Sequence, residues 1–144
     1  MSAAYDPNNI FGKILRGEIP AHKVYEDDVA LAFMDIMPRA EGHVLVIPKE
    51  GARGLLDVRP ETLGELIKRV QHVAQVVKTA LGAEGLTLHQ FNESAGGQVI
   101  YHLHFHILPR WEGVALRPPG NMGDNDRLAA QAEKIRAAMT PFAG

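Results

Sequence analysis

His102, His104 and His106 alternate in the run Tyr101-His-Leu-His-Phe-His-Ile-Leu-Pro-Arg110, and no other residues in this 144-residue chain are better equipped for chemistry. Residues i, i+2 and i+4 of an extended backbone project from one face, which sends Leu103, Phe105 and Ile107 to the opposite face, into a core. Imidazole titrates closest to neutrality of all side chains, so the pattern suits proton transfer, nucleophilic attack or metal binding. A solvated polar face is the plain alternative. Zinc is another, because three histidines supply three of its four ligands and leave the open position that a catalytic zinc uses.

Just upstream, Asn92-Glu-Ser-Ala-Gly-Gly-Gln98 is a turn-rich segment with Gly96 and Gly97 side by side. Paired glycines let successive backbone N–H groups face one concavity, which suits a phosphate better than a cation. Placed before a histidine run, such a cradle favours phosphoryl chemistry over zinc.

The elements that must carry these residues follow from periodicity and punctuation. Asn8 or Asn9 is suited to cap a short helix whose Ile10, Phe11, Ile14 and Leu15 share a face, ending near Gly17. Strands are expected at Lys23–Glu26, Val29–Asp35, His43–Pro48, Leu86–Phe91 and His102–Pro109, with Pro38 in an intervening turn. Pro60 opens a long helix with an apolar stripe of Leu63, Leu66, Ile67, Val70, Val73, Ala74, Val77 and Leu81, stopped by Gly82. Arg110 to Asn125 reads as a Pro- and Gly-rich loop, and Asp126 to Met139 as a final amphipathic helix. Strands joined by short connections, plus one long helix, indicate an antiparallel α+β domain rather than a parallel βαβ fold.

Composition narrows the partners. One domain is expected over residues 1–144, with its core at about 8–110 and a C-terminal extension at 111–144. A net charge of −2 argues against a nucleic-acid polymer or an anionic membrane as main partner, so any phosphate site is local. The chain has no cysteine, which excludes thiolate catalysis. No export signal or membrane span is visible, which points to a soluble cytoplasmic protein.

At the level of motif, His102 to Leu108 fits His-φ-His-φ-His-φ-φ, with φ apolar, at every position. Other segments accompany it in order: Ile10-Phe-Gly-Lys-Ile14, Glu18-Ile-Pro20, Glu26-Asp-Asp28, Leu31-Ala-Phe-Met-Asp-Ile36, Gly42-His-Val-Leu-Val-Ile-Pro-Lys49 and Gly97-Gln98. Together they resemble the histidine triad (HIT) family, and its Hint-like branch in particular. The resemblance implies a five-stranded antiparallel sheet with one long helix packed on it, a short N-terminal helix and a C-terminal helical extension. It implies a homodimer formed through the long helix and an adjacent strand. It also implies hydrolysis or nucleotidyl transfer at a nucleoside 5′-monophosphate bonded to an amine or phosphate, with a purine nucleotide as substrate and no cofactor or catalytic metal.

The same resemblance distributes roles. His104 matches the nucleophile that forms a nucleotidyl-histidine intermediate, His106 a leaving-group and phosphate contact, and His102 a supporting member. His43 matches a fourth histidine facing the site. Asp35 matches the carboxylate that binds both ribose hydroxyls. Ile10, Phe11, Ile14, Phe33 and Ile36 match the walls around the base, although plain core packing is the alternative for each, Ile14 above all. Asn92, Gly97, Gln98 and Val99 match the segment that meets the phosphate. His22, His72 and His89 match no role, and His72, lying off the apolar stripe, is expected at the surface.

The chain departs from the family pattern at Val99, where Hint-like members often carry a serine whose hydroxyl contacts phosphate or leaving group. Some bacterial members also bind a structural zinc through Cys-x-x-Cys and a histidine after the Pro-Lys pair. Asn9, Gly12 and Gly51 stand at those positions, so that zinc is not expected. Three rival readings remain: a dinucleoside polyphosphate hydrolase of the Fhit type, which also ends the triad in Leu-Pro-Arg, a nucleotide-responsive interaction module with incidental catalysis, and a zinc-dependent hydrolase.

Overall fold

The computed structural model describes residues 4–143. Its elements are α1 (Ile10–Leu15), β1 (Lys23–Glu26), β2 (Ala30–Met34), β3 (Val44–Pro48), α2 (Pro60–Leu81), β4 (Gly85–His89), a 3₁₀ turn at Ser94–Gly96, β5 (Phe105–Arg110) and α3 (Asn125–Ala138). The strands form one antiparallel sheet in the order β1-β2-β3-β5-β4. This is the α+β architecture expected from the sequence.

Local chemistry explains the helix ends. The Asn9 side chain accepts from the Gly12 N–H at 2.9 Å and so caps α1. Pro60 is the first residue of α2, where its missing N–H costs nothing. Gly82 closes the helix at φ +64°, and its N–H reaches back to the Thr79 carbonyl.

Strand alternation sorts the sheet into two cores. Ala30, Ala32, Met34, Val44, Val46, Phe105 and Ile107 pack with Leu66, Val70, Val73 and Val77 of α2 and with Leu128, Ala132 and Ile135 of α3. Leu31, Phe33, Leu45 and Ile47 face the other way and pack under Phe11 and Ile14 of α1. Each such side chain contributes about 1.5–3 kcal/mol on burial, so the α1 side is a true second core. Both faces of β2 and β3 are therefore covered.

Among the elements, the structure departs from the sequence expectation in β4, which runs Gly85–His89 and not to Phe91, in the last strand, on α2 and at His72. The last strand begins at Phe105, not His102. Its ladder with β3 ends at the Val46–Phe105 pair. Beyond that point side chains take the backbone acceptors: the His102 ring bonds the Pro48 carbonyl at 2.9 Å and the His104 ring bonds the His102 carbonyl at 2.7 Å. On α2, Ile67 is exposed while Arg69 is buried against Asp27 and Glu65. His72 is half-buried rather than at the surface, because the C-terminal segment folds back over it. Its Nε2 lies 2.7 Å from the Thr140 carbonyl, and Phe142 meets its ring edge-on. Among the described residues no helix is long and apolar enough to cross a membrane.

Candidate active site

The site lies on the α1 side of the sheet, where β5 meets β3 and β4. His106 stands opposite Leu45 on one side and His89 on the other. His104 precedes β5 by one residue, and its ring lies 4.9 Å from that of His106. Phe11 meets the His104 ring edge-on at 5.0 Å. His102 turns away from this pair toward the N-terminal segment.

Hydrogen bonds decide the protonation of each ring, because a carbonyl only accepts and an amide N–H only donates. His104 Nδ1 faces the His102 carbonyl at 2.7 Å, so Nδ1 carries the proton and Nε2 keeps its lone pair. His102 Nε2 donates to the Pro48 carbonyl at 2.9 Å, and its bare Nδ1 accepts from the Tyr5 hydroxyl at 2.7 Å. A second relay begins at Arg39, whose N–H donates to His43 Nδ1 at 3.0 Å. The proton of His43 is then on Nε2, which donates to His106 Nδ1 at 2.9 Å. His106 therefore presents Nε2–H as a donor.

Burial keeps all four rings neutral. It lowers His43 and His106 to about 3, and repulsion by the Arg39 guanidinium and between the clustered imidazoles, which resist being protonated side by side, adds to the effect. His102 falls to about 4 through burial, opposed by its bond to Pro48. His104 is lowered by burial too, opposed by its bond to the His102 carbonyl. Asp35 lies just past β2, with Oδ1 accepting from the Met37 N–H at 2.8 Å and Oδ2 at 3.4 Å from His43 Nε2. Burial raises its carboxyl to about 6, against the pull of the Met37 N–H.

The remaining candidates divide into floor, rim and frame. Phe11, Ile14 and Phe33 are buried together as the floor, with Phe11 and Phe33 edge-to-face at 5.4 Å. Ile10 and Ile36 are exposed at the rim, and Val99 is 84% exposed. Gln98 serves the loop frame rather than the cleft. Its buried side chain accepts from the Glu93 N–H at 2.7 Å and donates to the carbonyls of Arg53 and Ile100. Asn92 ties the end of β4 to the neighbouring loop, its Oδ1 accepting from the Leu55 N–H at 2.8 Å. The glycine cradle also differs from expectation. The N–H groups of Gly96, Gly97 and Gln98 bond to the carbonyls of Glu93, Ser94 and Glu93, closing a tight turn with Gly97 at φ +96°. Those donors are consumed within the loop.

The metal readings can be weighed against this geometry. The three triad rings do not converge on one point, since both nitrogens of His102 are engaged elsewhere. Among the described residues, Asp35, His43 and His106 bring ligand-type atoms within 4.8 Å of one another; a hydrogen bond joins His43 to His106, and Asp35 Oδ2 lies 3.4 Å from His43 Nε2. At the three positions that correspond to the structural zinc ligands, two near the N-terminus and one after Pro48-Lys49, Asn9 is a cap and Gly12 and Gly51 have no side chain. A Cβ on Gly51 would lie 2.6 Å from the Tyr5 ring. These residues do not fit a zinc ion.

Sequence reasoning missed Tyr5, Arg39 and His89. Tyr5 sits in a terminal stretch without periodicity, Arg39 acts through its backbone, and His89 reaches the site only through the β4–β5 register.

A sequence model of the HIT domain matches residues 16–113. A solved Hit-like protein from Bartonella henselae is 56% identical, covering 95% of this chain and 100% of its own, with a TM-score of 0.91. The adenosine 5′-monophosphoramidase HNT1 of Candida albicans is 34% identical over 134 residues, 88% of each chain. The adenylylsulfatase HINT3 of Arabidopsis thaliana is 39% identical over 103 residues, 72% of this chain and 52% of that protein. By fold, by motif and by descent alike, this chain belongs to the histidine triad family.

Proposed function

We propose that this protein hydrolyses, or transfers, the nucleotidyl group of a purine nucleoside 5′-monophosphate bonded to an amine or to a second acid, through a covalent intermediate on His104. One observation carries the reading. The His102 carbonyl holds the His104 proton on Nδ1, leaving a bare Nε2 beside the Nε2–H of His106. The activities named for HNT1 and HINT3, an adenosine phosphoramidate and an adenylylsulfate, are both bonds of this kind.

In the first step the Nε2 lone pair of His104 forms a bond to the α-phosphorus, and the bond to the leaving group breaks with its electron pair. The ring becomes cationic, and the Nδ1–H bond to the His102 carbonyl strengthens as that charge develops. His106 Nε2–H donates to the departing atom. In the second step water attacks the phosphorus, the P–N bond returns its pair to His104, and the water proton passes to solvent. Splitting one displacement into two is the advantage of a covalent nucleophile. Asp35 takes the ribose hydroxyls, Phe11 and Phe33 back the base with Ile10 and Ile36 at its edge, and the N–H groups of Val99 and Ile100 follow the glycine turn to meet the phosphate.

The test offers adenosine phosphoramidate, an acyl-adenylate and a diadenosine polyphosphate, each labelled at the α-phosphate, with acid-quenched trapping. Wild type is expected to turn over the first two and to carry acid-labile, base-stable label. His104→Gly should lose turnover and label while still binding nucleotide. His106→Gly should remain measurable, slower by about 10²- to 10⁴-fold. Inversion at phosphorus in the wild type would overturn the two-step reading.

A further inference from the structure

We infer that Tyr5 is a positioning residue for catalysis, its phenol holding His102 so that the His102 carbonyl stays aimed at the nucleophile. The hydroxyl donates to His102 Nδ1 at 2.7 Å and itself accepts from Asn9 Nδ2 at 3.1 Å. The other side of the His102 ring is tied to Pro48 at the end of β3, and the backbone just beyond is tied by Leu103 N–H to the Ala52 carbonyl at 2.9 Å. His102 is fully buried, so its Nδ1 lone pair depends on that phenol for a partner.

The contact is built in, not incidental. The Tyr5 ring packs edge-on to His102 at 5.5 Å and over Gly51 so closely that any side chain there would displace it. Asn9 both caps α1 and holds the hydroxyl. Asn9 and Gly51 are two of the positions at which zinc-bearing members carry metal ligands. Here an organic clamp of Tyr5 and Asn9 fills the place where no metal donor set exists, and it grips the triad directly. An unpartnered His102 Nδ1 would admit water or let the ring rotate, and the carbonyl of the same residue, joined to the ring through one Cα, would move with it. That carbonyl fixes the His104 tautomer and faces the cationic ring in the intermediate.

The inference rests on His104 being the nucleophile, and the test separates the two. Tyr5→Phe keeps the ring packing and removes only the hydroxyl. It should lower kcat by about 3- to 10-fold, the worth of one neutral hydrogen bond, with KM for the nucleotide unchanged. By ¹⁵N NMR of the imidazoles, the wild type should show a bare, hydrogen-bonded His102 Nδ1 coupled to a slowly exchanging Tyr5 hydroxyl proton. In Tyr5→Phe that nitrogen should shift while those of His43 and His106 stay. A wild-type kcat in the folded variant, or a rapidly exchanging Tyr5 hydroxyl in the wild type, would overturn the assignment. If the wild type turns over no nucleotide, the functional reading fails by itself, and Tyr5 stands or falls on the His102 nitrogen signal.

Discussion

At the scale of the residue, identical side chains are driven to different jobs by their hydrogen-bond partners. His104 offers a lone pair at Nε2 and His106 a proton at Nε2, though only one residue, Phe105, separates them. Asp35 is a similar case. Its burial beside His43 holds the carboxyl at about 6, so near neutral pH it is largely ionised and able to accept from two hydroxyls. Replacing it with Asn removes the charged acceptor and leaves the reacting nitrogens in place. Ribonucleotide affinity should fall, and preference over the 2′-deoxy analogue should shrink by about 1.5–3 kcal/mol, read by calorimetry with both ligands. Full discrimination in Asp35→Asn would put the ribose elsewhere.

At the scale of the element, the turn between β2 and β3 carries Asp35, Arg39 and His43, and the C-terminal extension braces it. Arg117 N–H bonds the Arg39 carbonyl at 2.8 Å, Arg39 Nε returns to the Arg117 carbonyl at 2.9 Å, and Gly123 N–H bonds the Ile36 carbonyl at 2.8 Å. Glu41 gathers Arg117, Arg127 and Gln131 around one carboxylate. The other end of the sheet is open. β4 is an edge strand, and Leu86 and Leu88 are exposed on it on the same side as Ile107, which packs toward α2. An unpaired apolar edge is a pairing surface unless it is covered. We therefore expect a homodimer through β4 and α2, measured as twice the chain mass by light scattering. Leu88→Lys should give the monomer, and a monomeric wild type at micromolar concentration would refute the arrangement.

At the scale of the whole molecule, four neutral buried histidines couple folding to pH. His43, His102, His104 and His106 have folded pKa values below the unfolded value near 6.5. The unfolded chain thus binds more protons below that pH, and stability present above 6.5 is lost as pH falls toward 4 and 3. Asp35 works in the opposite sense, since its raised value stabilises the folded state below about 4 and loses that benefit as pH rises through about 6. Four rings outweigh one carboxylate. The melting temperature should fall as pH drops from 7 to 4, and a protein equally stable at both would contradict neutral buried rings.

Sequence alone determined the chemistry available and the order of the elements. The triad, Asp35 and His43 were legible from motif, and α1, α2 and the five strands from caps, glycine stops and apolar period, because those signals act over a few residues of backbone. Tertiary structure decided how the chemistry is assigned. The paired glycines read as an anion cradle, yet their N–H groups close a turn, and Gln98 pins that turn instead of meeting a ligand. The histidine run read as one strand with three equivalent rings, yet the ladder ends at Phe105 and His102 turns to Tyr5, a residue 97 positions away. Which nitrogen of an imidazole carries its proton depends on the partner facing it. Those partners, the carbonyls of Pro48 and His102, the N–H of Arg39 and the hydroxyl of Tyr5, meet the rings only when the chain is folded.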